Sequence, residues 1–281
     1  MKGPCRIALS GKGGTGKTTI SAFLIEALIG VGETPVLAVD ADPNANLNEA
    51  LGLPLGETLG SMREDAFTKS IPPGMSRTGY IEYRFQQVLV ESEGVDLLAM
   101  GRPEGTGCYC FANRLLSEAM DLLTRHYRFV VMDMEAGMEH LSRGTIGIPD
   151  ILLVVSDPGV RGIRTAVRIR DLADTLGIPH ERIFFVINRA GPLIPGKTEW
   201  AMETGEGGEI SLDKGSGGRS LVGSEAVLDP SRILASVPDD PEVERADLEA
   251  RPIISIPKGS PAKQAVKGLA DRVRSLCPPT D

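Results

Sequence analysis

Two lysines and three threonines set among glycines open the chain: Gly11, Lys12, Gly13, Gly14, Thr15, Gly16, Lys17, Thr18 and Thr19. The run matches G-x-x-x-x-G-K-[ST], a loop that cradles phosphates. Glycines at those positions let backbone N–H groups approach phosphate oxygens, and a helix starting there adds a favourable dipole. In that chemistry Lys17 reaches the β- and γ-phosphates of ATP and Thr18 holds Mg²⁺. Four later segments supply what such a site still needs. "AVDADPNANL" closes the second strand with Asp40 and Asp42, carboxylates that can orient an attacking water or a Mg²⁺-bound water. "FVVMDMEAG" puts Asp133 beside the metal and Gly137 where its N–H can sense the γ-phosphate. "FFVINRA" places Asn188 at a strand end, where its amide can read the adenine edge, and "SVPDDPEV", with Pro238 and Asp239, offers a backbone turn to hold the base. Each segment is weak by itself; together, in this order, they specify one nucleotide site with Lys17 and Asp42 as its catalytic candidates.

A second chemistry stands in "GTGCYCFANRLL", where Cys108 and Cys110 form a C-x-C. Two thiolates at the mouth of a helix are a soft-metal donor pair, suited to Ni²⁺ or Zn²⁺. A bare C-x-C reads equally as two idle cysteines. Across the two-fold axis of a dimer, two such pairs complete a four-thiolate site. His140, after Glu139, reads as a hydrogen-bonded structural residue more readily than as a transient ligand. Cys5 and Cys277 have no motif around them and read as packing residues.

The elements that must position these groups are short apolar runs. They are "RIALS" (6–10), "PVLAVD" (35–40), "VDLLAM" (95–100), "FVVMDM" (129–134), "ILLVVSD" (151–157), "RIFFVIN" (182–188), "ILASVP" (233–238) and "PIISIP" (252–257). Runs rich in Val, Ile and Leu with little polar alternation are strands buried on both faces. Helical stretches lie between most of them: "KTTISAFLIEALIGVG", "FANRLLSEAMDLLTRH", "VRGIRTAVRIRDLADTLG" and "SPAKQAVKGLADRVRSLC". The alternation predicts an α/β fold of three layers, a mostly parallel twisted sheet with helices on both faces, in one domain spanning 1–281. The stripe on the last helix reads as ordinary packing against the sheet. The Gly-rich, charged segment 195–223, which carries Trp200, reads as a surface insertion.

Composition narrows the setting. The 281 residues carry a formal net charge of −8, with 41% hydrophobic and 24% charged residues. An acidic chain is a poor non-specific binder of nucleic acid, although a local basic patch remains compatible with it. No apolar run approaches a membrane span. The N-terminus runs into the phosphate loop with no room for a signal peptide, so a cytoplasmic location is expected. In that compartment the four cysteines read as free thiols or metal ligands rather than disulfides.

With Lys12 at its front the loop is a deviant Walker A, G-K-G-G-x-G-K-T, and the chain resembles the deviant Walker A ATPases from Arg6 to about Pro257, apart from the insertion. These include partition and division-site ATPases, arsenite pump ATPases and the nitrogenase iron protein. The resemblance implies an ATP-dependent homodimer in which Lys12 reaches the partner's nucleotide. "MDMEAGMEHLSRGT" together with the C-x-C looks like the CooC-type ATPases, which help insert nickel into carbon monoxide dehydrogenase and related nickel enzymes. That likeness implies a metallochaperone carrying Ni²⁺ or Zn²⁺ on Cys108 and Cys110, with a nickel enzyme as client and neither nucleic acid nor membrane as partner. Two other readings stay open: a partition or positioning ATPase, and an iron protein-like electron-transfer ATPase. "DMEAGMEH" lacks the cysteine that the iron protein needs there.

Overall fold

A computed structural model describes residues 3–62, 71–102, 109–136, 147–191 and 228–277. The insertion 195–223 with Trp200, together with Cys108, Gly137 and His140, lies outside them.

Eight strands form one sheet in the order β3-β4-β2-β5-β1-β6-β7-β8. They are β1 (Cys5–Gly11), β2 (Val36–Asp40), β3 (Val90–Ser92), β4 (Val95–Ala99), β5 (Phe129–Asp133), β6 (Ile151–Ser156), β7 (Ile183–Ala190) and β8 (Ile233–Pro238). All neighbouring pairs are parallel except β3 with β4. The predicted class, α/β with a mostly parallel sheet, is what the chain adopts. Because side chains alternate along a strand, β1 sends Ala8 into one core and Ile7 and Leu9 into the other. Helices α3 (Arg77–Val88), α4 (Tyr109–Leu123) and α5 (Val160–Thr175) cover the first face. Helices α1 (Lys17–Gly30), α2 (Leu47–Leu51), α6 (Pro241–Leu248) and α7 (Pro261–Leu276) cover the second. Through Ala262, Val266, Leu269, Ala270 and Val273, the apolar stripe of α7 packs in that core. Among the described residues no helix is long and apolar enough to cross a membrane.

Two expectations are corrected. "PIISIP" is not a strand: Ile253–Ser255 form a short 3-10 turn that packs Ile253, Ile254 and Ile256 onto the second core. Prolines at both ends, Pro252 and Pro257, lack the N–H that a ladder position needs, and burial of three isoleucines does not require a strand.

The second correction concerns Cys5 and Cys277, which are joined in a disulfide with Cα atoms 5.8 Å apart. The reading of all four cysteines as free thiols or metal ligands therefore fails for this pair. Their separation of 272 residues hides the pairing from any local motif. They meet because β1 begins, and α7 ends, at the amino edge of the parallel strands. The same edge holds buried Glu33, which pairs with Arg128 and, at 3.0 Å, with Arg274.

Candidate functional site

The nucleotide-site candidates gather at the opposite, carboxyl edge, where open parallel sheets place their ligands. β1 ends at Gly11 and turns through the loop into α1 at Lys17. A Cβ on Gly11 would collide with the Val155 carbonyl oxygen, and one on Gly16 with the Asn188 amide. Gly16 also has φ 89°, which favours glycine. These two contacts explain why the loop needs glycine where it runs against β6 and β7.

The two lysines are disposed in opposite ways. Lys17 is buried and lies back over its own loop, its Nζ donating to the Gly11 and Lys12 carbonyls at 3.4 and 3.5 Å. Burial lowers its pKa, while Asp133, Asp42 and Glu135 act to raise it. Lys12 is exposed, and its ammonium has no hydrogen-bond partner among the described residues. Its carbonyl accepts from the Thr15 hydroxyl at 2.9 Å, which closes the turn.

Asp133, at the end of β5, stands in register with Asp40 of β2 and Leu9 of β1. It accepts from the Thr18 hydroxyl at 2.6 Å and from Ser21 at 3.1 Å. Burial raises its pKa to about 6, and the bonds from Thr18 and Ser21 and the charge of Lys17 oppose that rise. The structure thus brings Lys17, Thr18, Asp42 and Asp133 together. Asp40, which the sequence offers on the same terms as Asp42, is used differently. It accepts from Leu47 N at 2.8 Å and Asp42 N at 3.1 Å, fixing the loop that carries Asp42. Burial pushes its pKa to about 7 against the pull of the bond from Leu47. Ser21, one turn into α1, escaped the sequence reading because it falls outside the loop motif. Ala136 lies beside Gly13, so the segment leading to Gly137 starts against the phosphate loop.

Asn188 and Arg189 brace the loop from β7. The Asn188 amide donates to the Thr15 carbonyl at 2.8 Å, and Arg189 donates to the Gly14 carbonyl at 3.0 Å. Arg189 holds a left-handed backbone (φ 53°), uncommon outside glycine. Beside them opens a cavity of about 1010 Å³. Gly16, Thr18, Thr19, Asn188, Pro238 and Asp239 all line it, with residues of α2, α6 and the 3-10 turn at 253. Its far wall was not legible in the sequence.

Asp240 ties that wall together. It accepts from Glu242 N at 3.0 Å, capping α6, and from Ser260 Oγ at 2.5 Å and Ala262 N at 3.1 Å at the start of α7. Burial alone would raise its pKa, but these bonds hold it below the ordinary 3.8. Asp240→Ala should cost roughly 2–3 kcal/mol in urea unfolding at neutral pH. A carboxylate with a lowered native pKa stabilises the fold above its ordinary value and loses that effect as pH falls through the native one. The difference between wild type and Asp240→Asn should therefore shrink on acidification below 3.8.

Cys110 falls in the first turn of α4, on the stretch that leaves β4 at this same edge. Its partner in the C-x-C, Cys108, is outside the described residues. Among those residues no group of three or more His, Cys, Asp or Glu could hold a metal ion.

Residues 7–210 match the CobQ/CobB/MinD/ParA nucleotide binding domain family. An uncharacterized ATP-binding protein of Methanocaldococcus jannaschii is 35% identical over 95% of this chain and 97% of its own length. The carbon monoxide dehydrogenase accessory protein CooC of Rhodospirillum rubrum is 39% identical over 62% of this chain and 70% of its own. Among solved structures, the septum site-determining protein MinD of Pyrococcus horikoshii, complexed with Mg-ADP, superposes with a TM-score of 0.62 at 22% identity, covering 96% of each chain. The phosphate loop, the strand-end carboxylates and this family match agree, and the chain belongs to the CobQ/CobB/MinD/ParA family of nucleotide-binding ATPases.

Proposed function

We propose that this ATPase is a cytoplasmic, homodimeric metallochaperone. ATP drives two protomers together, Cys108 and Cys110 of both gather one Ni²⁺ or Zn²⁺ as cargo, and hydrolysis releases nickel to carbon monoxide dehydrogenase or a related nickel enzyme. The observation that carries this reading is the pairing, in one chain, of an exposed lysine on the phosphate loop with a C-x-C motif whose second cysteine, Cys110, stands in the first turn of α4. The likeness to CooC supports the choice of cargo.

In this reading the amides of Gly11, Gly13, Gly14, Thr15 and Gly16 surround the phosphates, with Lys17 and Thr19 beside them. Thr18, Asp42 and Asp133 are hard oxygen donors held close together, a set that fits Mg²⁺. When bound, the ion offsets negative charge on the phosphates. Asp42 orients the attacking water, and Gly137 responds to the γ-phosphate. Asn188 spends one amide donor on Thr15, leaving its remaining polar atoms, with the Pro238–Asp239 turn, for the base. Lys12 serves the partner's nucleotide.

Cys108→Ser with Cys110→Ser should remove bound metal, from roughly one ion per dimer to none, while ATP turnover changes less than about twofold. Elemental analysis beside a phosphate-release assay checks this; full metal retention overturns the reading. A relative named septum site-determining protein MinD, from Thermotoga maritima and 26% identical over 95% of this chain, supports a second reading, a positioning ATPase. ATP-dependent retention on anionic vesicles or DNA would select it. A brown protein with charge-transfer absorption after anaerobic purification would instead select an electron-transfer ATPase.

A further inference from the structure

Among the described residues most arginine side chains are engaged. Arg84, Arg128, Arg170, Arg182, Arg245, Arg251 and Arg274 pair with carboxylates. Arg189, Arg232 and Arg272 donate to backbone carbonyls. Besides Arg125, which is also exposed without such a partner among the described residues, helix α5 carries three that are not engaged. Arg161, Arg164 and Arg168 are exposed, and their guanidinium groups have no hydrogen-bond or ion-pair partner among the described residues.

Their spacing of three and four residues puts them on one ridge, about 10 Å long at 1.5 Å per residue. Apolar side chains flank it: Val160 is 49% exposed and Leu172 44%. At the amino end of α5 the Asp157 carboxylate accepts from Gly159 N at 2.9 Å and offsets the helix dipole there. Asp171, on the same helix, pairs with Arg170 at 2.7 Å.

We propose that this ridge of α5 is the docking surface for an acidic protein partner, one that presents carboxylates at helical spacing between apolar contacts. Charge complementarity sets the sign. The length and the flanking Val160 and Leu172 set the class. A nucleic acid would follow a longer basic track and meet the repulsion of a chain with net charge −8. Arginine ringed by apolar residues is the composition of a protein–protein hot spot.

The test uses the full chain and three fluorescent probes: a helical peptide with glutamates at i, i+3 and i+7 flanked by leucines, a scrambled peptide of the same composition, and duplex DNA. The spaced peptide should bind with an affinity that falls with salt. It should bind at least about tenfold more weakly to Arg161→Gln/Arg164→Gln/Arg168→Gln, whose ATP turnover stays at the wild-type level. Should the triple variant unfold, Arg164→Gln alone should weaken binding about threefold. The proposal is overturned if the scrambled peptide binds as tightly as the spaced one, if the Gln variants bind as tightly as wild type, or if DNA binds more tightly than either peptide.

Discussion

Lys12→Ala is expected to slow ATP hydrolysis by roughly a thousandfold, the scale of removing a charge that a partner inserts at a transferring phosphoryl group. Nucleotide affinity of the isolated protomer should change far less, because Lys17, not Lys12, lies over the loop within its own chain. The two lysines differ in burial as well as place. One is buried among Asp133, Asp42 and Glu135, and the other is exposed with no local partner. A mixing experiment separates action across the dimer from action within one chain. Lys12→Ala and Lys17→Ala are each expected to be inactive. Mixed in equal amounts, they should regain about a quarter of wild-type turnover, since half the dimers are mixed and each holds one complete site. No recovery on mixing, with dimers shown by sizing chromatography, would place Lys12 within its own site and remove the main argument for a shared nucleotide interface.

Cys5→Ser with Cys277→Ser is expected to lower unfolding stability by about 2–5 kcal/mol, toward the upper end because the bridge closes nearly the whole chain. ATP turnover at ambient temperature should not move, since the bridge sits at the edge of the sheet away from the phosphate loop. A thiol count supports the same point. Of four cysteines, the two not in the bridge should react in unreduced, denatured protein, and all four after reduction. Four reactive thiols before reduction would refute the bridge.

Legibility in the sequence followed the range of the forces involved. Seven of the eight apolar runs became strands, because burial on both faces leaves an unbroken Val, Ile and Leu signature. The strand that went unseen, β3, is a three-residue edge strand, Val90–Ser92, with only partial burial. Helix α6 escaped because it is short, polar and mostly exposed, although it forms a wall of the cavity. Within the site, Thr18, Lys17 and Asp133 were legible because their spacing carries the chemistry. The separate duties of Asp40 and Asp42 were not, since the two residues look alike until Leu47 N is found on one of them. The disulfide, Asp240 and the loop contacts of Asn188 and Arg189 join residues far apart in the chain, which no window of sequence can register.

Those loop contacts bear on how fast ATP is captured. Carbonyls along the loop are already occupied: Gly11 and Lys12 by Lys17, Lys12 again by Thr15, Gly14 by Arg189 and Thr15 by Asn188. The loop therefore gives up its conformational freedom when the chain folds, not when the ligand arrives. Capture by such a rigid receptor is governed by encounter, and differences among nucleotides should appear in residence time. The clock of this ATPase would then be set by how long it holds its nucleotide.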